Sequence, residues 1–460
     1  MSNIDIFNPY NLEKIGDLPL QTEQEVNQAI ENAHNLVSNR RCLLPLVERL
    51  AILERTLSIL MPKAEDLAVN AAREGGKPLV DSRIEIFRGF EGFKIAIEEA
   101  KALAGKEIPM GATASSVGRV AMTRREPRGL VVAVSAFNHP FNLIVHQVIP
   151  AVAVGCPVLV KPALTTPFSC QVVVEALYEA GLPKDWCRMI ICDNDVAEKL
   201  VTDKRNTFLT FIGSTKVGWS LRAKLPPGAL CALEHGGAAP VIVDSSADLD
   251  KAIPQLLKGA YYHAGQVCVS VQRIFVHESI AQTFCDRLTD GVDRLTTGNP
   301  GDPQTEVGPL ILPREVDRVA KWVEEAKESG ELLCGGNKIS ETCYQPSLIL
   351  NPKADCMVSK QEIFGPVACV YTYKNIDEAI EQANNVDFAF QAAVFSRDLN
   401  RAFETARNLE GLTVMINDHT AFRVDWMPFG GYKHSGLGVG GIGHTMKDMT
   451  LEKMIVLNTN

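Results

Sequence analysis

Apolar residues recur at three- and four-residue steps, with charges between them, through residues 22–37 and 46–73. That spacing predicts helices with one buried face. Gly75, Gly76, Lys77 and Pro78 stop the second stretch, and a third helix is expected over 79–104, ending at Gly105. From Leu130 the grammar changes. Short apolar, β-branched runs at 130–137, 157–161, 187–192 and 207–212 are separated by helical stretches at 141–154, 168–180 and 195–202. Strands alternating with helices of this length predict parallel βαβ units in a sheet covered on both faces. A second α/β series starts with a strand at 239–243 and a helix at 248–264, then a strand at 273–276 and a helix at 280–295. It continues through segments at 322–329, 366–373, 376–383 and 400–408. No repeat or low-complexity linker separates the two series, so the boundary near Gly236 and Gly237 predicts a tight crossing between packed units. The last stretch, 451–460, reads as a strand without a partner nearby in sequence. Such a strand lies at a sheet edge or joins a neighbouring subunit's sheet.

With 46% hydrophobic and 22% charged residues in a chain of 460, a disordered, collagenous or low-complexity protein is excluded. Lys and Arg number 46 against 55 Asp and Glu, a formal charge of −9. Nucleic acid and anionic membrane are therefore not expected partners. The longest apolar stretch, 148–160, is broken by Pro150, Gly155 and Pro157, and it falls short of the roughly 18 residues a membrane span needs. The first residues show neither the charged nor the apolar region of a signal peptide. Twelve cysteines without a Cys-x-x-Cys pair do not make a disulfide scaffold. Reduced thiols in a cytoplasmic protein are expected.

The sequence holds no His-Glu-x-x-His, no zinc spacing and no P-loop, and no metal site is expected. One Gly-x-Gly-x-x-Gly occurs, from Gly438 to Gly443. A dinucleotide fingerprint should follow a strand and open a βαβ unit. This one follows a turn-rich segment and the chain ends too soon after it, so it is read as a decoy.

Seven other segments carry more: Phe137-Asn138-His139-Pro140-Phe141, Lys161-Pro162, Phe211-Ile212-Gly213-Ser214-Thr215, Leu233-Glu234-His235-Gly236-Gly237, Gly265-Gln266-Val267-Cys268, Glu362-Ile363-Phe364-Gly365-Pro366 and Pro428-Phe429-Gly430-Gly431. In this order and spacing they resemble the aldehyde dehydrogenase superfamily over nearly the whole chain, nearest to its lactaldehyde and phosphonoacetaldehyde branch. The resemblance implies an α/β fold with a Rossmann-like NAD(P)-binding domain, an α/β catalytic domain and a small β oligomerisation element. The expected bounds are 1–117 with 129–236 for the first, 237–434 for the second, and 118–128 with 447–460 for the third. A homodimer or homotetramer is expected.

A free cysteine is ordinarily a small buried hydrophobe. In this family setting Cys268 is instead the candidate nucleophile, because a thiolate adds to an aldehyde carbonyl and the adduct can expel hydride. Asn138 directly follows a strand, at the end where open α/β sheets place ligands. It reads either as a turn residue or as the amide that, with the Cys268 backbone N–H, holds the oxyanion. Glu234, at a strand end before two glycines, is implied to be the base that directs water onto the thioester. Relatives that pass the acyl group to coenzyme A often lack this carboxylate, so hydrolysis is expected and a coenzyme A-acylating enzyme is the alternative. His235 stands where the family usually has Leu; it either tunes Glu234 or only packs.

For the cofactor, NAD or NADP, Gly213 and Ser214 end a strand and open a helix whose N-terminus suits a pyrophosphate. The resemblance assigns Lys161 to the adenosine ribose, Glu362 to the nicotinamide ribose, and Phe364 and Phe137 to the cofactor's surroundings. Leu164 stands where NAD-preferring members often carry Glu, which is permissive for NADP. The substrate is expected to be a short aldehyde. Cations at Arg423, in the loop before Pro428, and Arg88, on the third helix, together with His139, would suit a carboxylate, sulfonate or phosphonate. Arg88 reads first as an ordinary helix-packing or salt-bridge residue, whereas His139 and Arg423 read equally either way. The pattern is also similar to that of lactaldehyde dehydrogenases, whose substrate is neutral.

Overall fold

The computed structural model describes residues 2–39 and 43–459. Among the described residues, two mostly parallel sheets, a three-stranded antiparallel ribbon and two two-stranded antiparallel pairs make a mixed α/β architecture. The first sheet runs, in space, Gly436–Leu437, Leu230–Glu234, Asn206–Ile212, Leu130–Val134, Val158–Lys161, Cys187–Met189. Its strands are parallel except for the first of these. Chain order reverses between Leu130–Val134 and Asn206–Ile212, which makes their carboxyl ends a topological switch point. The helices Leu79–Ala102 and Asn142–Val154 cover one face of this sheet, and every residue of Asn142–Val154 is buried. That burial accounts for the apolar 148–160 stretch without a membrane. Among the described residues no helix is long and apolar enough to cross one.

The second sheet is ordered Glu331–Cys334, Ser347–Leu350, Val367–Tyr373, Val271–His277, Ala239–Val243, Gln391–Phe395, Thr413–Ile416. Arg273, buried in it, donates to the carbonyls of Ala238, Gln382 and Ala383 at 3.0, 3.2 and 2.8 Å. It thereby ties the strand's start to the Ile376–Asn384 helix. The last strand, Thr450–Asn458, pairs antiparallel and in register with Arg119–Pro127, and Glu107–Ile108 completes that ribbon. Its partner therefore lies more than three hundred residues back. Val120, Met122, Met454, Ile455, Val456 and Leu457 are exposed on this ribbon.

Several expected elements differ: the strand expected over 130–137 ends at Val134, which leaves Asn138 in the loop beyond it, the strand expected over 187–192 ends at Met189, and the helix expected over 248–264 ends at Tyr261. The stretch 46–73 is two helices, Leu46–Leu60 and Ala64–Gly75, joined by a 3-10 turn at Met61–Lys63. Pro62 has no N–H to give to the helix and breaks it there. An N-terminal hairpin, Asn3–Phe7 with Lys14–Pro19, was not expected from the sequence pattern.

Candidate active site

The loop after Leu130–Val134 is set by a buried ion pair. Glu85 takes Lys77 Nζ at 2.5 Å on one oxygen; the other accepts the N–H groups of Phe141 and Asn142 at 2.9 and 3.0 Å. A carboxylate at a helix N-terminus satisfies donors the helix cannot. Losing either partner would leave a buried charge. The loop so held presents Asn138, whose Nδ2 donates to the Gln266 carbonyl at 2.9 Å. The amide has two hydrogens, and its second N–H has no acceptor among the described residues.

Cys268 follows a turn in which His263 and Ala264 take left-handed φ of 49° and 54°. This conformation costs a side-chain-bearing residue about 1–2 kcal/mol. Gln266 holds the turn. Its Nε2 donates to the Pro309 carbonyl at 3.1 Å, and its Oε1 accepts from Ile311 N–H at 3.0 Å. Burial pushes the Cys268 thiol up to about 12, the Glu234 and Glu362 carboxylates add to this, and Arg423 opposes it. Among the described cysteines, Cys268 alone lines the principal cavity.

Glu234 closes the strand Leu230–Glu234, opposite Ile212 and Gly436. Its carboxylate lies against Gly440, where an added Cβ would overlap it. One glycine of the 438–443 segment thus makes room for this acid. Burial raises the Glu234 carboxyl above its ordinary range, and Arg423 opposes the rise. His235 packs edge-on to Phe211 and Trp219, and its Nδ1 lies 3.0 Å from the His434 carbonyl.

On the cofactor side, Ser214 is the N-cap of the Thr215–Ala223 helix and makes no side-chain cap bond, so the helix's first N–H groups remain for a ligand. Glu362 Oε1 is buried without a hydrogen-bond partner. Burial holds this carboxyl up to about 8, against a hydrogen bond from the Gly237 N–H. Gly236 leaves it space, since a Cβ there would overlap the carboxylate. The rings of Phe137 and Phe364 meet edge to face at 5.8 Å. Lys161, 7% exposed, ends its strand and makes no ion pair among the described residues; burial pushes its ammonium below the ordinary lysine range, and Cys192 and Asp193 oppose this from a distance. An orphaned carboxylate oxygen, an uncapped helix start and an unpaired buried ammonium fit a dinucleotide's ribose hydroxyls and phosphates.

Opposite these groups, Arg88 binds Asp425 bidentately, Nη2 at 2.7 Å and Nε at 3.3 Å. His146 Nε2 is 2.8 Å from the same carboxylate. The Arg423 guanidinium lies over the Phe429 ring at 3.6 Å. His139 Nε2 is 2.9 Å from the Tyr262 hydroxyl, and burial drives its ring well below the ordinary histidine range, so it is neutral. Arg88 is thus both an ion-pair residue and a cavity residue.

A single cavity of about 670 Å³ is lined by Phe137, Asn138, His139, Gly213, Ser214, Glu234, Cys268, Glu362, Phe364, Arg423 and Arg88. Lys161 is the one sequence candidate outside that lining, although its neighbours Ala163 and Thr165 are part of it. Asp425, His146 and Tyr262 were not singled out from sequence. Only the Arg-x-Asp spacing of Arg423 and Asp425 hinted at the first.

The aldehyde dehydrogenase family model matches residues 1–455. A 3-sulfolactaldehyde dehydrogenase of Priestia megaterium is 36% identical over 456 residues, covering 99% of this chain and 95% of the relative. The crystal structure of aldehyde dehydrogenase 21 from Physcomitrella patens, in complex with the reaction product succinate, superposes with a TM-score of 0.96 at 34% identity, over 100% of this chain and 95% of that one. That of a glyceraldehyde-3-phosphate dehydrogenase from Methanocaldococcus jannaschii, complexed with NADP, gives 0.93 at 35% identity, covering 99% of each chain.

Proposed function

The chain belongs to the aldehyde dehydrogenase family, NAD(P)-dependent oxidoreductases, and from that premise we propose that it oxidises a short anionic aldehyde to the free carboxylic acid. The observation that carries this reading is one cavity that brings a thiol, an amide and a carboxyl (Cys268, Asn138, Glu234) together with two guanidinium groups (Arg88, Arg423). The sulfonate named for the Priestia relative and the succinate in the moss structure are both anionic, which supports the same reading.

The Cys268 thiol gives its proton to water and its sulfur adds to the aldehyde carbon, so that a hemithioacetal forms. Asn138's free N–H and the Cys268 backbone N–H donate to the oxygen that gains charge. When bound, NAD(P) supplies a hydride acceptor. The carbon on Cys268 then stands at the thioester level. Glu234 takes a proton from water, which adds to that carbon; the acid departs and the thiol is restored. Gly213, Ser214, Lys161 and Glu362 would hold the cofactor, and Phe137 and Phe364 would contribute to its binding site. Retention of Glu234 favours water over coenzyme A as acyl acceptor.

We extend the proposal to assembly. Residues 1–117 with 129–236 form the cofactor-binding domain, 237–434 the catalytic domain that carries Cys268, and 118–128 with 447–460 join subunits into a dimer or tetramer; the exposed apolar ribbon supports this. The test of the substrate class compares kcat/KM for lactaldehyde and sulfolactaldehyde in the parent and in Arg423→Ala. The parent should favour the anion and the variant should lose that preference. Equal values in both enzymes would end the anionic reading.

A further inference from the structure

Asp425 has so far appeared only as a partner of other groups. Its side chain is 3% exposed, and three cations or potential cations converge on it. Arg88 binds it bidentately at 2.7 and 3.3 Å, His146 Nε2 approaches to 2.8 Å, and Arg423 Nε stands 3.6 Å away. Burial alone would raise this carboxyl, but His146 and the two guanidiniums hold it well below the usual carboxylate range. Burial and Arg423 push His146 down to about 4, so its ring is neutral near pH 7. With Asp425 accepting at Nε2, the Nδ1 lone pair is left to receive Arg423 Nη2 at 3.3 Å. Arg423 Nε is buried without a hydrogen-bond partner.

The charges at this end of the cavity can therefore be counted. Arg88 and Arg423 contribute two positives and Asp425 one negative, while His146 and His139 are neutral. Beyond the cluster, Lys77 is cancelled by Glu85, His263 is held neutral by burial, and Glu234 and Cys268 face Arg423 from the reaction side. Set against Asp425 alone, the two guanidiniums keep one positive charge and one unpartnered donor, Arg423 Nε, and an ionised Glu234 on the reaction side offsets even that charge.

Building on the anionic reading above, we propose that Asp425 is a specificity-determining positioning residue. It neutralises one guanidinium and, through His146, orients the other, so that the pocket accepts a monoanionic head group, carboxylate or sulfonate, over a dianionic phosphonate. A single negative charge brought into this buried site meets the unpartnered Arg423 donor, whereas a second one meets no counterion.

The test uses the enzyme saturated with NADP and two isosteres, sulfoacetaldehyde and phosphonoacetaldehyde, with lactaldehyde as the neutral reference. The sulfonate keeps one charge throughout, while the phosphonate gains its second near neutrality. Titration of the enzyme's own groups cancels in the ratio of kcat/KM for the two. That ratio should rise in favour of the sulfonate by at least about tenfold as pH crosses the phosphonate's second ionisation. In Asp425→Asn, which adds one net positive charge, the rise should disappear and the phosphonate should gain on the sulfonate by about tenfold. A flat ratio in the parent overturns the proposal, and it does so even if the variant fails to fold. An equal fall for all three aldehydes in Asp425→Asn also overturns it, because that is the signature of a merely structural residue. If lactaldehyde is used as well as both anions, the anionic reading itself falls. If both anions are preferred but their ratio stays flat, only the role of Asp425 falls.

Discussion

Replacing Asn138 by Ala has two consequences that the structure separates. In the ground state the Gln266 carbonyl loses the donor now 2.9 Å away. A buried polar group left unpaired costs about 1–3 kcal/mol. Gln266 keeps its side-chain bonds to Pro309 and Ile311, so the turn carrying Cys268 should stay in place and the loss should fall on stability. In the transition state the second amide hydrogen, which no described residue accepts, is absent when charge grows on the carbonyl oxygen. Removing one such donor costs about 2.7–4 kcal/mol, a factor of about 10²–10³ in rate. The assay is steady-state kcat and kcat/KM on the preferred aldehyde at saturating cofactor, with urea unfolding of the same samples. Both kinetic constants should fall together, since the interaction is made only in the transition state. A folded variant whose kcat stays within about threefold of the parent would refute the oxyanion assignment.

Glu362 gives a pH dependence of cofactor affinity. Its carboxyl is raised to about 8 in the free enzyme by burial, and ribose hydroxyls donate to the ionised form, so protons compete with the cofactor. Binding should be tightest above pH 8 and weaken by up to about tenfold per unit below it; fluorescence titration of Glu362→Gln should give a weaker, pH-flat Kd, and a parent already flat would contradict this. Gly440→Ala puts a methyl into the Glu234 carboxylate, so thioester hydrolysis should slow by about tenfold or more while the first-turnover hydride burst persists. An unslowed steady state would mean Glu234 does not work from that position. Leu164→Glu should shift the NADP-to-NAD ratio of kcat/KM toward NAD by about tenfold through repulsion of the 2′-phosphate; an unchanged ratio would place that phosphate elsewhere.

The parallel strands and most of the cavity were legible in the sequence because both are written locally. Leu130, Val131, Val132, Ala133 and Val134 are an apolar run whatever surrounds them, and Gly265-Gln266-Val267-Cys268 sits in one turn. What escaped depends on distance in the chain. The ion pair of Lys77 with Glu85 governs Phe141 and Asn142, more than fifty residues away. Asp425 meets Arg88 across 337 positions, and no periodicity records such a meeting. The helix break at Pro62 was legible in principle, and the amphipathic spacing on either side hid it. The Gly438–Gly443 run is the converse case. Its spacing does not show that the Glu234 carboxylate and the Phe429 carbonyl leave Gly440 no room for a side chain.

The central claim is that the acyl group passes through the sulfur of Cys268. The direct measurement is rapid quench of Glu234→Gln, with aldehyde and cofactor, followed by mass spectrometry of the proteolysed protein. Glu234→Gln leaves the nucleophile and oxyanion donors intact while removing the base, so the thioester should accumulate. Close to one acyl group per subunit is expected, on the peptide containing Cys268, formed in step with the hydride burst. An acyl group on any other residue, or a burst with no covalent adduct in an enzyme that still turns over as Cys268→Ala, would contradict it.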